Sequence, residues 1–153
     1  ESGVDVLMLF DTWGGSLSHD DYPKLSLLRM QRIIRRLKQQ YTTPIVLFTK
    51  GAQPWWPEIL AADCDGVGID YSASLRQAKA TFAGKKAIQG NLDPHILLAP
   101  PEVMQTRVNA ILDLMAEVPG FIFNLGHGVL KTTDPARVKD LVQMVRFYTK
   151  HHV

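Results

Sequence analysis

Cysteine is nearly absent from this sequence: Cys64 is the sole one among 153 residues. An intrachain disulfide and a zinc site built on several thiolates are both excluded, and a reducing, cytoplasmic setting is the simplest expectation. No apolar run approaches the ~20 residues that a membrane-spanning helix needs. The opening Glu1-Ser2-Gly3 carries neither the basic nor the apolar part of a secretion signal. Charge is close to balanced, 17 Lys and Arg against 15 Asp and Glu, so composition does not point to nucleic acid. Two glycine signatures are missing as well. No G-x-G-x-x-G follows the first apolar run and no G-x-x-x-x-G-K-[ST] occurs anywhere, which removes most support for nucleotide binding. There is no initiator methionine either, and the chain is expected to start inside something longer.

What is present is a chain of single-domain length, 46% hydrophobic, with no linker-like or low-complexity stretch, so residues 1–153 are expected to form one domain. Val4 to Phe10 is almost continuously apolar, as expected of a strand covered on both faces in a parallel sheet. It runs into Asp11-Thr12-Trp13-Gly14-Gly15, polar groups followed by a flexible turn. Ser18 with Asp21 reads as a capping signal for a helix whose Leu27, Met30, Ile34 and Leu37 recur at helical spacing. Its Arg29, Arg32, Arg35, Arg36 and Lys38 read as a solvated face.

The same unit then repeats. Ile45-Val46-Leu47-Phe48 ends in Thr49-Lys50-Gly51, and Trp55-Trp56-Pro57 opens a short helix, its tryptophans read as packing. Gly66 to Asp70 is a third strand, followed by a helix capped at Ser74 that carries Leu75, Ala78 and Phe82. Lys86 to Asn91 is a fourth, and Asp93-Pro94 has the form of an N-cap with proline at the first helical position. Beyond Pro100-Pro101 a longer helix places Val103, Arg107, Ala110, Ile111 and Leu114 on one face. The fifth strand, the apolar run Phe121-Ile122-Phe123, is expected to be buried and breaks into Gly126-His127-Gly128. It would present one imidazole on a bendable backbone that a ligand can approach closely. After Thr133-Asp134-Pro135 a last amphipathic helix runs through Val138, Leu141, Val142, Val145 and Tyr148 to a polar tail.

Strand and helix thus alternate five times, and every strand ends in polar residues beside glycine or proline. An open doubly wound sheet and a closed barrel both produce this alternation. A (β/α)8 barrel needs eight units in about 250 residues, so on that reading five units are a barrel without its beginning.

Three motifs in order, Phe10-Asp11-Thr12-Trp13-Gly14-Gly15, Gln89-Gly90-Asn91-Leu92-Asp93-Pro94 and Asn124-Leu125-Gly126-His127-Gly128, resemble the uroporphyrinogen decarboxylase family. Leu47-Phe48-Thr49-Lys50-Gly51 and Gly66-Val67-Gly68-Ile69-Asp70-Tyr71 fall where that family has similar strand ends, Tyr71 standing where it often has tryptophan. The resemblance implies the C-terminal portion, about five β/α units, of a TIM-type (β/α)8 barrel, strands four to eight. The family's first three strands bring an arginine-rich segment, an aspartate that holds the pyrrole N–H groups and a tyrosine. None of that is in this sequence, so no catalytic residue is assigned here and the 153 residues alone are expected to be inactive.

The activity implied is removal of carbon dioxide from the four acetate side chains of uroporphyrinogen III, giving coproporphyrinogen III, without metal or organic cofactor and by a homodimer. Two residues match the family's substrate contacts: Thr12, whose hydroxyl can donate to a carboxylate, and His127, whose imidazole can do the same, more strongly when protonated. Without the resemblance, Thr12 reads as a turn residue and His127 as an imidazole satisfying backbone. Asp11, Asp70 and Asp93 are assigned structural work first. Lys50 would pair with one of those acids or face the substrate. Cys64 has no base at useful spacing and reads as a small buried apolar residue. Two rival readings are a zinc-thiolate methyltransferase of the same superfold, which needs thiolate and imidazole ligands on the rim, and a non-catalytic tetrapyrrole-binding or scaffold fragment.

Overall fold

The computed structural model describes residues 3–152, so Glu1 and Ser2 of the opening stretch lie outside the described residues. Five strands, β1 (Leu7–Asp11), β2 (Ile45–Thr49), β3 (Gly66–Gly68), β4 (Ala87–Leu92) and β5 (Phe121–Leu125), lie in the order β1-β2-β3-β4-β5. All four pairings are parallel. Between and after them run α1 (Leu28–Lys38), α2 (Trp56–Leu60), α3 (Leu75–Phe82), α4 (Pro101–Met115) and α5 (Pro135–His152). Each strand is added on the same side as the one before, so the strand order never reverses. That removes the doubly wound alternative, whose ligand crevice depends on such a reversal, and leaves the wall of a barrel.

Strand side chains alternate between faces, and the register turns that alternation into rows. Leu9, Leu47, Val67, Ile88 and Phe121 are successive partners across the sheet. This row belongs to the hydrophobic core under the helices, with Leu47, Val67 and Ile88 buried. Burying each such side chain contributes roughly 1.5–3 kcal/mol. The opposite row, Phe10, Phe48, Gly68, Gln89 and Ile122, faces away from the helices. That face is concave: Gln89 Nε2 on β4 lies 3.7 Å from Met8 Sδ on β1. In a flat sheet three strand spacings, about 14 Å, would separate those strands, and two side chains standing upright could not meet.

Here β1 and β5 depart from expectation. Both read as buried, yet Phe10 is 68% exposed and Ile122 43% exposed. They are the two edge strands, and half of their side chains point to a concave face that nothing among the described residues covers. The apolar pattern is that of a barrel interior, whose far wall lies elsewhere.

The helices follow their sequence signals with some shifts. Asp21 N–H donates to Ser18 Oγ at 3.2 Å, and the chain then makes a wide π turn over Pro23–Leu27 before α1 begins. Met30 and Ile34 of α1 are buried and its arginines exposed, and half-buried Lys38 pairs at the surface with Asp65 at 2.9 Å. Ser74 caps α3 by accepting from Gln77 N–H. Asp93 caps as expected, accepting from His95 N–H at 2.9 Å, though what it opens is a 3-10 turn over Pro94–Leu98. On α4 the buried stripe is Met104, Val108, Leu112 and Met115; Val103, Arg107 and Ala110 are exposed. The expected stripe was about one position out of phase, because the sheet and α5 both claim part of this helix. Leu141 and Tyr148 of α5 are buried as expected, while Val142 is exposed and Met144 packs in its stead. The expected polar tail continues the helix to His152. No helix among the described residues is long and apolar enough to cross a membrane.

Candidate functional site

Because all five strands are parallel, their carboxyl ends form one rim, and each polar strand end of the sequence lies on it. The first tip is tied down by Asp11, whose carboxylate accepts from Trp13 N–H at 3.0 Å, from Gly14 N–H at 2.7 Å and from the Ser26 hydroxyl. Beside it Tyr22 donates to Thr49 Oγ1 at 3.0 Å, inside the core. Burial pushes that phenol up to about 12, against the opposing effect of the Thr49 hydrogen bond. The turn after Asp11 is not slack. A Cβ on Gly14 would meet the Asp11 side chain, and one on Gly15 would come within 2.8 Å of the Gly51 backbone.

The later tips are locked similarly. Asp70 accepts from Gly51 N–H at 2.9 Å and from Ser72 N–H at 2.9 Å, joining the ends of β2 and β3. Buried Asn91 donates from Nδ2 to the Asp70 carbonyl at 3.0 Å and the Ala73 carbonyl at 2.9 Å, joining β4 to the same loop. Asp93 holds its own turn and its Oδ1 lies 2.7 Å from His95 Nδ1. Burial works against the Asp93 carboxylate, but the His95 N–H and imidazole outweigh it, keeping the acid below the ordinary carboxylate range. The structural assignment of Asp11, Asp70 and Asp93 therefore agrees with their contacts.

Inside the rim a cavity of about 360 Å³ opens on the concave face. Met8, Phe10, Phe48, Gly68 and Gln89 line its floor, and Thr12, Asn124 and His127 bring polar groups to its mouth. Thr12 and His127, the two residues singled out from the sequence, come from opposite edges of the sheet and share this one cavity. A mainly apolar floor beneath a few convergent polar groups is the general form of a small-molecule site.

The surroundings of His127 correct one expectation. Its flanking glycines do not both serve a ligand. A Cβ on Gly126 would come within 2.7 Å of Tyr71 Cα, so this glycine exists to let the β5 tip touch the β3 tip, and Gly126 N–H donates to the Leu92 carbonyl at 2.8 Å. A Cβ on Gly128, which lines the cavity, would meet nothing within 4 Å. The Tyr71 ring stands at 89° to the His127 imidazole with centroids 6.5 Å apart, and at 67° to His95 with centroids 6.1 Å apart. Lys50 Nζ lies over the same ring, 5.9 Å from its centroid. Among the described residues Lys50 forms no ion pair with the rim acids, so of its two expected roles the pairing is not made. His95 was not singled out from the sequence, and Tyr71 only as a variant residue. The available signal was position alone, since each follows a strand end by a few residues.

Cys64 is buried just ahead of β3, at the end of the sheet away from the rim. Burial raises its thiol above the ordinary range, with Lys86 acting in the opposite direction. No group of three or more His, Cys, Asp or Glu among the described residues is arranged to hold a metal ion.

Comparison with known proteins adds the following. The family model described as uroporphyrinogen decarboxylase (URO-D) matches residues 1–148. The uroporphyrinogen decarboxylase of Burkholderia mallei (strain SAVP1) is 40% identical over 153 residues, covering 98% of this chain and 42% of its own length. That of Tolumonas auensis is 43% identical over 155 residues, covering 99% of this chain and 44% of its own length. The chain thus spans less than half the length of these curated relatives. Among solved structures, a methyltransferase from Methanosarcina mazei superposes with a TM-score of 0.77 at 18% identity, covering 96% of this chain and 43% of that one. At that identity the likeness is one of fold.

Proposed function

This chain belongs to the uroporphyrinogen decarboxylase family, and from that premise we propose that it forms one side of a decarboxylase site, as a single C-terminal unit of a (β/α)8 barrel. The substrate is uroporphyrinogen III, whose four acetate side chains lose carbon dioxide to become the methyl groups of coproporphyrinogen III. A protonated pyrrole accepts the electron pair of each breaking C–C bond as carbon dioxide leaves. The remaining methylene carbon then takes up a proton to become methyl and the ring gives back its added proton, so the macrocycle supplies its own electron sink. The protein has to orient a polyanion and place donors around it. Thr12 and His127 hold a substrate carboxylate by hydrogen bonds, while Met8, Phe10 and Phe48 give the macrocycle an apolar bed.

The observation that carries this reading is the shared cavity: donors from the first and last tips converge over one apolar floor. The concave row is uncovered and the edges of β1 and β5 are unpaired within the described residues. On this basis the 153 residues by themselves are inactive and bind tetrapyrrole at most; membership of the family adds the expectation of a homodimer of complete barrels, and the single cysteine that of a cytoplasmic setting. Methyl transfer through a zinc thiolate would need a cysteine at the rim, and Cys64 lies at the other end of the sheet.

The test is kinetic, in a protein carrying the whole barrel. His127→Ala and Thr12→Ala each remove a hydrogen bond to a charged group, so KM for uroporphyrinogen should rise about tenfold to a hundredfold. Unchanged KM and kcat in both variants would take these residues out of the site.

A further inference from the structure

We infer that Tyr71 is a positioning residue for His127: its ring fixes the direction in which the imidazole meets a substrate carboxylate. The inference rests on His127 being a carboxylate-binding group and goes a step further, to what holds that group in place. Four observations converge on it. His127 sits on a turn beyond the last strand, with Gly128 open on one side, so its own backbone gives the side chain little direction. On the other side Gly126 brings the β5 tip against the main chain of Tyr71, closer than any side chain at 126 would allow. The two rings are then perpendicular at 6.5 Å, within the range at which edge-to-face pairs attract. Finally, the tyrosine ring is itself held, with Lys50 Nζ over it at 5.9 Å and His95 against it at 6.1 Å.

The arrangement holds a rotatable donor by a chain of contacts across the tips of β2, β3, β4 and β5. An imidazole on a two-bond side chain can turn its nitrogens away from the cavity, and a perpendicular ring restricts that rotation. The restriction lowers the ordering cost when substrate binds. Tyr71 does not line the cavity, so its effect on substrate passes through His127.

Steady-state kinetics with uroporphyrinogen III, in the protein with its whole barrel, distinguish the possibilities. Tyr71→Leu keeps apolar bulk and leaves the main-chain contact with Gly126 intact, but removes the ring. KM should rise about three- to tenfold, the loss of one aromatic pair, with little change in kcat. Tyr71→Phe keeps the ring and should recover most of that loss. In a His127→Ala background Tyr71→Leu should add nothing, because the group it orients is gone. A purely structural role would instead lower the active fraction, reducing apparent kcat at constant KM and adding to His127→Ala. If Tyr71→Leu does not fold, Tyr71→Met is read in the same way. Wild-type KM in Tyr71→Leu with a raised KM in His127→Ala overturns this inference alone. Wild-type KM in His127→Ala overturns the reading of the site on which it stands.

Discussion

Replacing Gly126 by alanine adds one methyl group, and the geometry says where it goes. The new Cβ would lie within 2.7 Å of Tyr71 Cα and 2.8 Å of Tyr71 Cβ, with the Tyr71 amide closer still. These are mostly main-chain atoms, so no side chain can rotate to make room, and either the β5 tip or the β3 loop must move. Overpacking of this kind costs about 1–3 kcal/mol. At a urea slope of about 2 kcal/mol per M, the unfolding midpoint falls by about 0.5–1.5 M. Gly128→Ala is the matched control, two residues away on the same turn. Its Cβ meets nothing within 4 Å and its backbone is not in the left-handed region. Its stability should stay within about 0.5 kcal/mol of the parent. Urea unfolding followed by far-UV circular dichroism on both variants is sufficient. Equal midpoints for Gly126→Ala and Gly128→Ala would refute the claim that the two glycines do different work.

Asn91→Leu keeps the branching of the side chain with bulkier methyl groups but withdraws both Nδ2 hydrogens, leaving the Asp70 carbonyl with only the Ala73 N–H and stranding the Ala73 carbonyl in a buried site. A loss of about 1–3 kcal/mol is expected, read as a lowered thermal midpoint. Asp65 tests the acid limb. Burial disfavours its charge, but bonds from Lys38 and Ile45 N–H, with the Lys38 and Lys86 charges, outweigh burial and hold the carboxyl below its ordinary range. A depressed acid contributes stability above its unfolded value, roughly pH 4, and loses it as pH falls through the folded value. Asp65→Asn should therefore flatten the acid side of the stability profile, and an unchanged profile would show that Asp65 does not couple folding to pH.

Local signals told most of the chain's organisation. The five apolar runs, the caps at Ser74 and Asp93 and the polar residues closing each strand depend on neighbours a few positions away, so pattern reading reaches them. The motifs around Thr12 and His127 marked the rim for the same reason. Side-chain partnership did not follow. An apolar run looks the same whether both faces are covered or one looks into an open concavity, and for that reason Phe10 and Ile122 were misjudged. The burial phase of α4 depends on how the sheet and α5 divide the helix between them. That Gly126 answers to Tyr71, and that Lys50, Tyr71, His95 and His127 form one chain of rings and charge, required strands far apart in sequence to be laid side by side in register. Sequence by itself determined which segments are strands and where their polar ends lie, because those are properties of consecutive residues. Tertiary structure alone decided which ends touch, because curling the sheet brings together tips that the chain keeps dozens of residues apart.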